Sequence, residues 1–148
     1  MGGQVTFLEV LDRHGRFGAW MTSAAMVLIA ITLALPGDSM RFSQWWALRD
    51  LGFREVTIAT FAMCVGSCRL LILWVNGAWH RTPLLRGVGA VAGLCFYGVM
   101  AILSLWPWLS GAVSALDTLT AVYAVLAAAD LRECHRAGFD HRGAKLVA

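Results

Sequence analysis

Charged residues are scarce in this sequence: Asp, Glu, Lys and Arg together make up 14% of its 148 residues. Soluble globular domains carry about 25% charged residues, because their surfaces need polar side chains to face water. Hydrophobic residues instead make up 59% of the chain, and the mean hydropathy is +0.66. The composition therefore argues against a soluble protein and predicts an integral membrane protein.

Proline is also rare, and its three positions mark the limits of the hydrophobic runs. A transmembrane helix needs about 20 apolar residues, and helix-breaking residues divide this chain into runs of that kind. Pro36, Pro83 and Pro107 all fall between runs, where a missing N–H does no harm to a membrane helix. We predict an all-α fold, a four-helix transmembrane bundle in which residues 1–148 form one membrane domain, with spans at about 20–35, 56–75, 84–106 and 109–129.

Tryptophan has the distribution that is typical of a membrane protein. Its amphipathic ring prefers the boundary between hydrocarbon and water, and no tryptophan falls in the middle of a predicted span. We predict that all seven tryptophans are interface anchors: Trp20, Trp45, Trp46, Trp74, Trp79, Trp106 and Trp108.

Two segments outside the spans have the spacing of short amphipathic helices. One runs from Val5 to Arg13, and the other is the first loop, where Phe42, Trp45 and Trp46 cluster at helical spacing. We predict short interfacial helices in both segments, serving as membrane anchors or, alternatively, in partner recognition.

Basic residues are more frequent on one side of the predicted bundle. With four spans, the N-terminal tail, the second loop and the C-terminal tail share a side, and they carry more Arg and Lys than the opposite side. Short cytoplasmic loops are enriched in Arg and Lys, so we predict that the tails, residues 1–18 and 131–148, are both cytoplasmic. The basic residues are scattered, and therefore form no nucleic-acid-binding motif.

The four cysteines form no recognisable disulfide or metal framework. Cys64, Cys68 and Cys95 fall within predicted spans, and Cys134 falls in the C-terminal tail. Zinc sites commonly use a two-residue Cys spacing, so packing is the favoured interpretation of Cys64 and Cys68 over a metal site. The sequence also contains no nucleophile–base arrangement and no phosphate-binding glycine loop. We therefore expect no metal, no cofactor and no enzymatic activity.

Small residues mark two predicted helices as surfaces for close packing. In the fourth helix they lie on one side and bulky residues on the other, which favours close helix packing through the thin side. The third helix contains a GxxxG motif, which indicates a close crossing within the chain or between chains. We predict helix packing at Gly89, Gly93, Ser110, Ala121, Ala124 and Ala128.

Two charged residues fall within the predicted spans, Arg69 in the second and Asp117 in the fourth. Each is costly in hydrocarbon unless it is paired or hydrated. The predicted spans place Asp117 within reach of a stretched arginine, so we predict an Arg69–Asp117 contact that clasps two helices or lines a pore or proton path. The alternatives are separate snorkelling and a neutral Asp117. The predicted polar neighbours are Asn76, Ser114 and Thr118.

The segment from Arg69 to Arg86, RLLILWVNGAWHRTPLLR, resembles small membrane proteins of bacteriophages and prophages, as do Ala121 to Leu126, AVYAVL, and Asp130. The resemblance implies a bacterial inner-membrane protein that associates with itself or with another membrane protein. It further implies a pore-forming or membrane-remodelling role, holin-like or as a virion component for DNA entry. The alternatives are a non-catalytic membrane scaffold or accessory subunit and, second, a small-molecule transporter.

Overall fold

The computed structural model describes residues 17–37, 41–42, 45–78 and 83–147. Within these ranges the chain forms α-helices and turns without a β-strand, so the all-α prediction is confirmed. The helices are α1 (Phe17–Ala34), α2 (Trp46–Asp50), α3 (Glu55–Ala78), α4 (Pro83–Leu109) and α5 (Thr118–Val147). The predicted segment from Val5 to Arg13 and the predicted anchor Trp79 lie outside the described residues.

Three helices of the described chain are long and apolar enough to cross a membrane, at Phe17–Ala34, Glu55–Val75 and Leu85–Leu109. They correspond closely to the first three predicted spans. Pro83 is the first residue of α4, a position at which proline's missing N–H removes no hydrogen bond. The length of each apolar run and the helix-breaking residues beside it therefore determine where these three helices begin and end.

The four long helices pack as two antiparallel pairs. The most extensive contacts are those of α1 with α3 and of α4 with α5. Contacts of α3 with α4 and of α1 with α5 join the two pairs. The largest fully buried side chains are those of Tyr97 and Met26, which lie in the shared core.

Gly66 marks the closest approach of α1 and α3. A Cβ atom at this position would lie 2.8 Å from Cγ2 of Val27 and 3.2 Å from its backbone nitrogen. Both distances are shorter than ordinary van der Waals contact, so the absence of a side chain at Gly66 sets how closely the two helices pack.

The end of α4 differs from the prediction, because Pro107 lies inside the helix and not between two spans. The helix continues for only two more residues, to Leu109. The carbonyl oxygen of Pro107 accepts hydrogen bonds from the N–H groups of Ala112 and Val113, at 2.9 and 3.2 Å, which close the following turn. Pro107 has no N–H to donate to the carbonyl of Leu103, so one helical hydrogen bond is missing just before the helix ends.

The fourth predicted span, 109–129, is not confirmed, and its predicted start is wrong. Residues 110–117 form turns and irregular chain, and α5 begins only at Thr118. Gly111, at φ +74°, adopts a left-handed conformation that favours glycine. The helix then continues to Val147, through most of the predicted C-terminal tail, and it is not among the three described helices that are long and apolar enough to span a membrane.

The predicted packing face of the fourth helix does not pack within the described bundle. Ser110 lies in the turn before α5, and Ala121, Ala124 and Ala128 are exposed on the outside of the bundle. The face of α5 that is buried follows a different helical stripe, which contains Thr120, Tyr123, Asp130, Glu133 and Ala137. The polar side chains of this stripe therefore face the bundle, whereas Ala121, Ala124 and Ala128 face outward.

The tryptophans do not share one environment. Trp45 belongs to the buried core, directly before the short helix α2, because α2 packs against α4. Trp20 and Trp46 are half-buried. Trp74, Trp106 and Trp108 are exposed, and their role as interface anchors stays a prediction.

Candidate functional site

The most unusual feature of the bundle is a buried arginine on α3. Arg69 is only 4% exposed, and its guanidinium reaches a carboxylate on α5. Nη1 donates to Oδ2 of Asp130 at 2.9 Å, and Nη2 donates to Oδ1 at 2.6 Å. Two parallel hydrogen bonds of this kind form the strongest geometry available to an arginine and a carboxylate.

Helix α1 completes the cluster through Thr22. Nη2 of Arg69 donates to Oγ1 of Thr22 at 2.9 Å, and the Thr22 hydroxyl donates to Oδ1 of Asp130 at 2.8 Å. The hydroxyl of Tyr97 on α4 donates to the backbone carbonyl of Thr22 at 2.5 Å. Thr22, Asp130 and Tyr97 are each 1% exposed or less. The cluster of Thr22, Arg69, Tyr97 and Asp130 therefore draws on all four long helices.

The GxxxG motif on α4 provides the space for this cluster. A Cβ atom at Gly93 would collide with Nη1 of Arg69 and with Oδ2 of Asp130, and a Cβ at Gly89 would lie 3.3 Å from Cγ of Arg69. The two glycines thus leave a groove in which the arginine side chain lies. A motif that commonly brings two backbones together here admits a charged side chain from a third helix.

The predicted Arg69–Asp117 contact is wrong. Asp117 precedes the first residue of α5, and its Oδ1 accepts a hydrogen bond at 2.9 Å from the N–H of Leu119, which is the geometry of an N-cap. At 1.5 Å per residue, the thirteen residues between Asp117 and Asp130 correspond to roughly 20 Å along the helix. The late start of α5 therefore moves Asp130, and not Asp117, to the level of Arg69.

Two of the predicted polar neighbours, Ser114 and Thr118, lie apart from the cluster. Ser114 is exposed in the turn before α5, and Thr118 is exposed at the start of that helix. Asn76 belongs to the last turn of α3, and its side chain lies outside the described part of the structure. The residues that do join Arg69 are Thr22, Tyr97 and Asp130.

Sequence reasoning missed Asp130 as a partner, although a signal was present. Thr120, Tyr123, Ala127 and Asp130 follow helical spacing, so Asp130 extends one face of the helix. This face is recognisable only when the helix is extended past residue 129. Thr22 and Tyr97 were not linked to Arg69, because single hydroxyl groups in apolar runs do not reveal where they point.

A second buried carboxylate lies one turn beyond Asp130. Glu133 is 4% exposed, and its Oε1 lies 3.7 Å from the position that a Cβ on Gly18 of α1 would occupy. Nη1 of Arg136 lies 3.6 Å from the same oxygen. Glu133 therefore extends the polar face of α5 toward the start of α1.

The cluster is closed to molecules larger than water. The cavity beside Arg69 has a volume of about 10 Å³ and is lined also by Leu73, Arg86 and Gly89, which is space for about one water molecule. Among the described residues, no three His, Cys, Asp or Glu side chains are placed to hold a metal ion. Cys64, Cys68 and Cys95 are exposed on the outside of the bundle.

The arrangement can therefore hold helices together and balance charge. A buried arginine or aspartate alone is very costly, and removing one partner of such a pair costs about 3–5 kcal/mol. Here each charge has its partner together with an additional hydroxyl group.

Comparison with known proteins does not assign the chain to a family. No protein-family model, curated protein or solved structure matches it. The resemblance to phage and prophage membrane proteins therefore stays a prediction.

Proposed function

We propose that this chain is a non-catalytic membrane scaffold or accessory subunit, embedded in a bacterial inner membrane and acting through association with other membrane proteins. The observation that carries this proposal is the Arg69–Asp130 pair. The charges satisfy each other inside one chain, and the adjoining cavity holds about one water molecule. Because each charge is paired within the bundle and the adjoining cavity is no larger than a water molecule, we infer a structural role over transport or catalysis.

The proposal includes four membrane crossings with both termini in the cytoplasm. Its support is the position of α5 beside α4. Gly93 adjoins Asp130, and a Cβ at Gly87 would lie 3.4 Å from Cβ of Ala137. If α4 crosses the bilayer from Leu85 to Leu109, the part of α5 that runs back along it, residues 118–137, crosses the bilayer at the same depths. Asp130 and Glu133 are tolerated at those depths because both face the bundle interior.

The competing proposal is the pore-forming, holin-like role that the phage resemblance implies. One observation favours it: Ala121, Ala124 and Ala128 form a thin, exposed face on α5, where the helix of another copy can approach closely. A pore would also require a polar lining made by several copies. A transporter has less support, because the cavity at the buried charges is the size of a water molecule.

Inducible expression in bacteria separates the two roles. Growth and membrane potential are recorded as the protein accumulates, with a voltage-sensitive dye as the readout. A scaffold or accessory subunit accumulates without a change in potential, whereas abrupt depolarisation overturns the proposal in favour of a pore.

The control variant is Ala124→Trp, which places a bulky ring on the exposed face of α5. If depolarisation occurs with the natural sequence and disappears in Ala124→Trp, the pore is assembled through that face. A normal level of the variant in the membrane fraction shows that the loss does not come from poor expression.

A further inference from the structure

A pocket of about 270 Å³ lies at the end of the bundle where α4 ends, far from the Arg69–Asp130 cluster. Arg41, Phe42, Trp46 and Arg49 of the α1–α3 connection line one side of it, and Pro107 and Val113 line the other. Contacts between α2 and α4 hold the two sides together. The pocket is open to the surface, so it is accessible to a ligand.

The position of the pocket relative to the apolar helices defines the environment that it faces. Pro107 lies in the last turn of the apolar segment Leu85–Leu109, and the apolar segment of α3 begins at Glu55. The pocket therefore lies where the hydrocarbon of a bilayer gives way to the phosphates of the lipid headgroups. Trp46, half-buried at this level, has the ring that prefers this boundary.

The charge of the side chains that line the pocket indicates which kind of ligand it can bind. The charged side chains that line the pocket are those of Arg41 and Arg49, and both residues are exposed. A guanidinium carries five N–H donors in a planar fork. An arginine that already binds one group in the protein therefore still has N–H donors that can bind a ligand. Two such forks match the oxygens of a phosphate. The carboxylates of Asp50 and Asp117 do not line the pocket.

We propose that this pocket binds the phosphodiester headgroup of a membrane phospholipid. Arg41 and Arg49 bind the phosphate oxygens, and Phe42 and Val113 contact the glycerol and the first methylene groups. The volume of 270 Å³ is close to the lower limit for small-molecule pockets, about 300 Å³. It therefore fits a headgroup, while the acyl chains lie along the apolar helices. The lipid ties the α1–α3 connection to the end of α4.

The proposal goes beyond the proposed function and holds for a scaffold and for a pore alike. It depends only on insertion of the chain into a membrane, which fractionation tests separately. A chain that inserts and binds no lipid in the pocket would contradict this inference and leave the scaffold proposal intact.

Native mass spectrometry of the full chain in detergent tests the inference, with short-chain phosphatidylglycerol added as the probe. The test variant is Arg41→Gln/Arg49→Gln. The matched control is Arg54→Gln, because Arg54 is exposed in the same connection and does not line the pocket. Circular dichroism and size-exclusion chromatography verify that each variant is folded; if the double variant is not, each single variant takes its place, because both side chains are exposed.

The proposal predicts saturable binding of one phosphatidylglycerol molecule to the natural chain and to Arg54→Gln. The double variant binds about tenfold or more weakly, since hydrogen bonds to charged groups contribute strongly to affinity. Diacylglycerol, which has no phosphate, does not compete.

Three results would overturn the proposal. They are unchanged affinity in the double variant, an equal loss in Arg54→Gln, and displacement of the lipid by inorganic phosphate at the same concentration. The last result would assign the pocket to a soluble phosphate compound.

Discussion

Arg69 and Asp130 lie 61 positions apart in the chain, yet two hydrogen bonds of 2.6 and 2.9 Å join their side chains. One residue belongs to the first antiparallel helix pair and the other to the second. The pair therefore joins the two halves of the bundle. Thr22 on α1 accepts a hydrogen bond from Arg69, and the groove at Gly89 and Gly93 on α4 leaves space for the arginine side chain. Each of these features can be tested by substitution.

We expect Asp130→Asn to destabilise the protein by about 3 kcal/mol, because it leaves the buried guanidinium of Arg69 without a counter-charge. The matched control is Asp117→Asn. Asparagine is as good an N-cap as aspartate, so this control is expected to change stability by less than about 0.5 kcal/mol. Reversible unfolding in mixed detergent micelles measures both. An equal effect of the two variants would contradict the assignment of Asp130 as the partner.

Gly93→Ala is expected to lower stability by about 1–3 kcal/mol, because the added methyl group collides with the Arg69–Asp130 pair and forces it to shift. Gly98→Ala serves as the control in the same helix. A Cβ at Gly98 meets nothing within 4 Å, and alanine favours the helix by up to about 1 kcal/mol. The thermal unfolding temperature in detergent should therefore fall for Gly93→Ala and stay or rise for Gly98→Ala. A similar change in the unfolding temperature of both variants would contradict the claim that Gly93 leaves space for the Arg69–Asp130 pair.

Gly66→Ala is expected to loosen the α1–α3 crossing, since its Cβ would lie 2.8 Å from Cγ2 of Val27. Adding Val27→Ala removes that methyl group but leaves the contact with the Val27 backbone nitrogen. We therefore expect partial recovery of stability in Gly66→Ala/Val27→Ala relative to the sum of the two single changes. Strict additivity of the two substitutions in thermal unfolding would show that the residues do not meet as described.

The fourth crossing is tested with reporter fusions in bacteria. GFP fused after Ala148 should fluoresce, because GFP folds in the cytoplasm, and alkaline phosphatase inserted after Ser114 should be active, because that enzyme requires the periplasm. A fusion after Gly52 is the internal control and should match Ser114. Phosphatase activity at the C-terminus would show three crossings and contradict the crossing by α5.

The first three long helices were predictable from the sequence because the signals that define them are local. Hydrophobic length and breaker residues placed spans at 20–35, 56–75 and 84–106, close to the helices observed. Arg69 also stood out, since an arginine in an apolar run needs a partner wherever the chain folds.

The partner was not predictable in the same way, because its identity depends on where α5 begins. Pro107, which the sequence placed outside the helix, lies inside α4. The turn that follows, with Gly111 and the Asp117 cap, moves the start of α5 from residue 109 to Thr118. That shift changes which carboxylate lies level with Arg69. Ala121, Ala124 and Ala128 face outward for a separate reason, because the neighbouring stripe that contains Tyr123 and Asp130 packs into the bundle.

A double-mutant cycle between Arg69 and Asp130 tests the central claim most directly. Arg69→Met and Asp130→Leu are made singly and together, and unfolding in mixed detergent micelles gives the stability of each. The hydroxyl of Thr22 also lies 3.2 Å from the carbonyl of Ala19, so it keeps an acceptor when both charges are removed. We expect each single change to cost about 3–5 kcal/mol and the double change far less than their sum, because two apolar side chains leave no buried charge unpaired. Additive losses, with a coupling energy below about 0.5 kcal/mol, would contradict the claim that Arg69 and Asp130 hold the two halves of the bundle together as a pair.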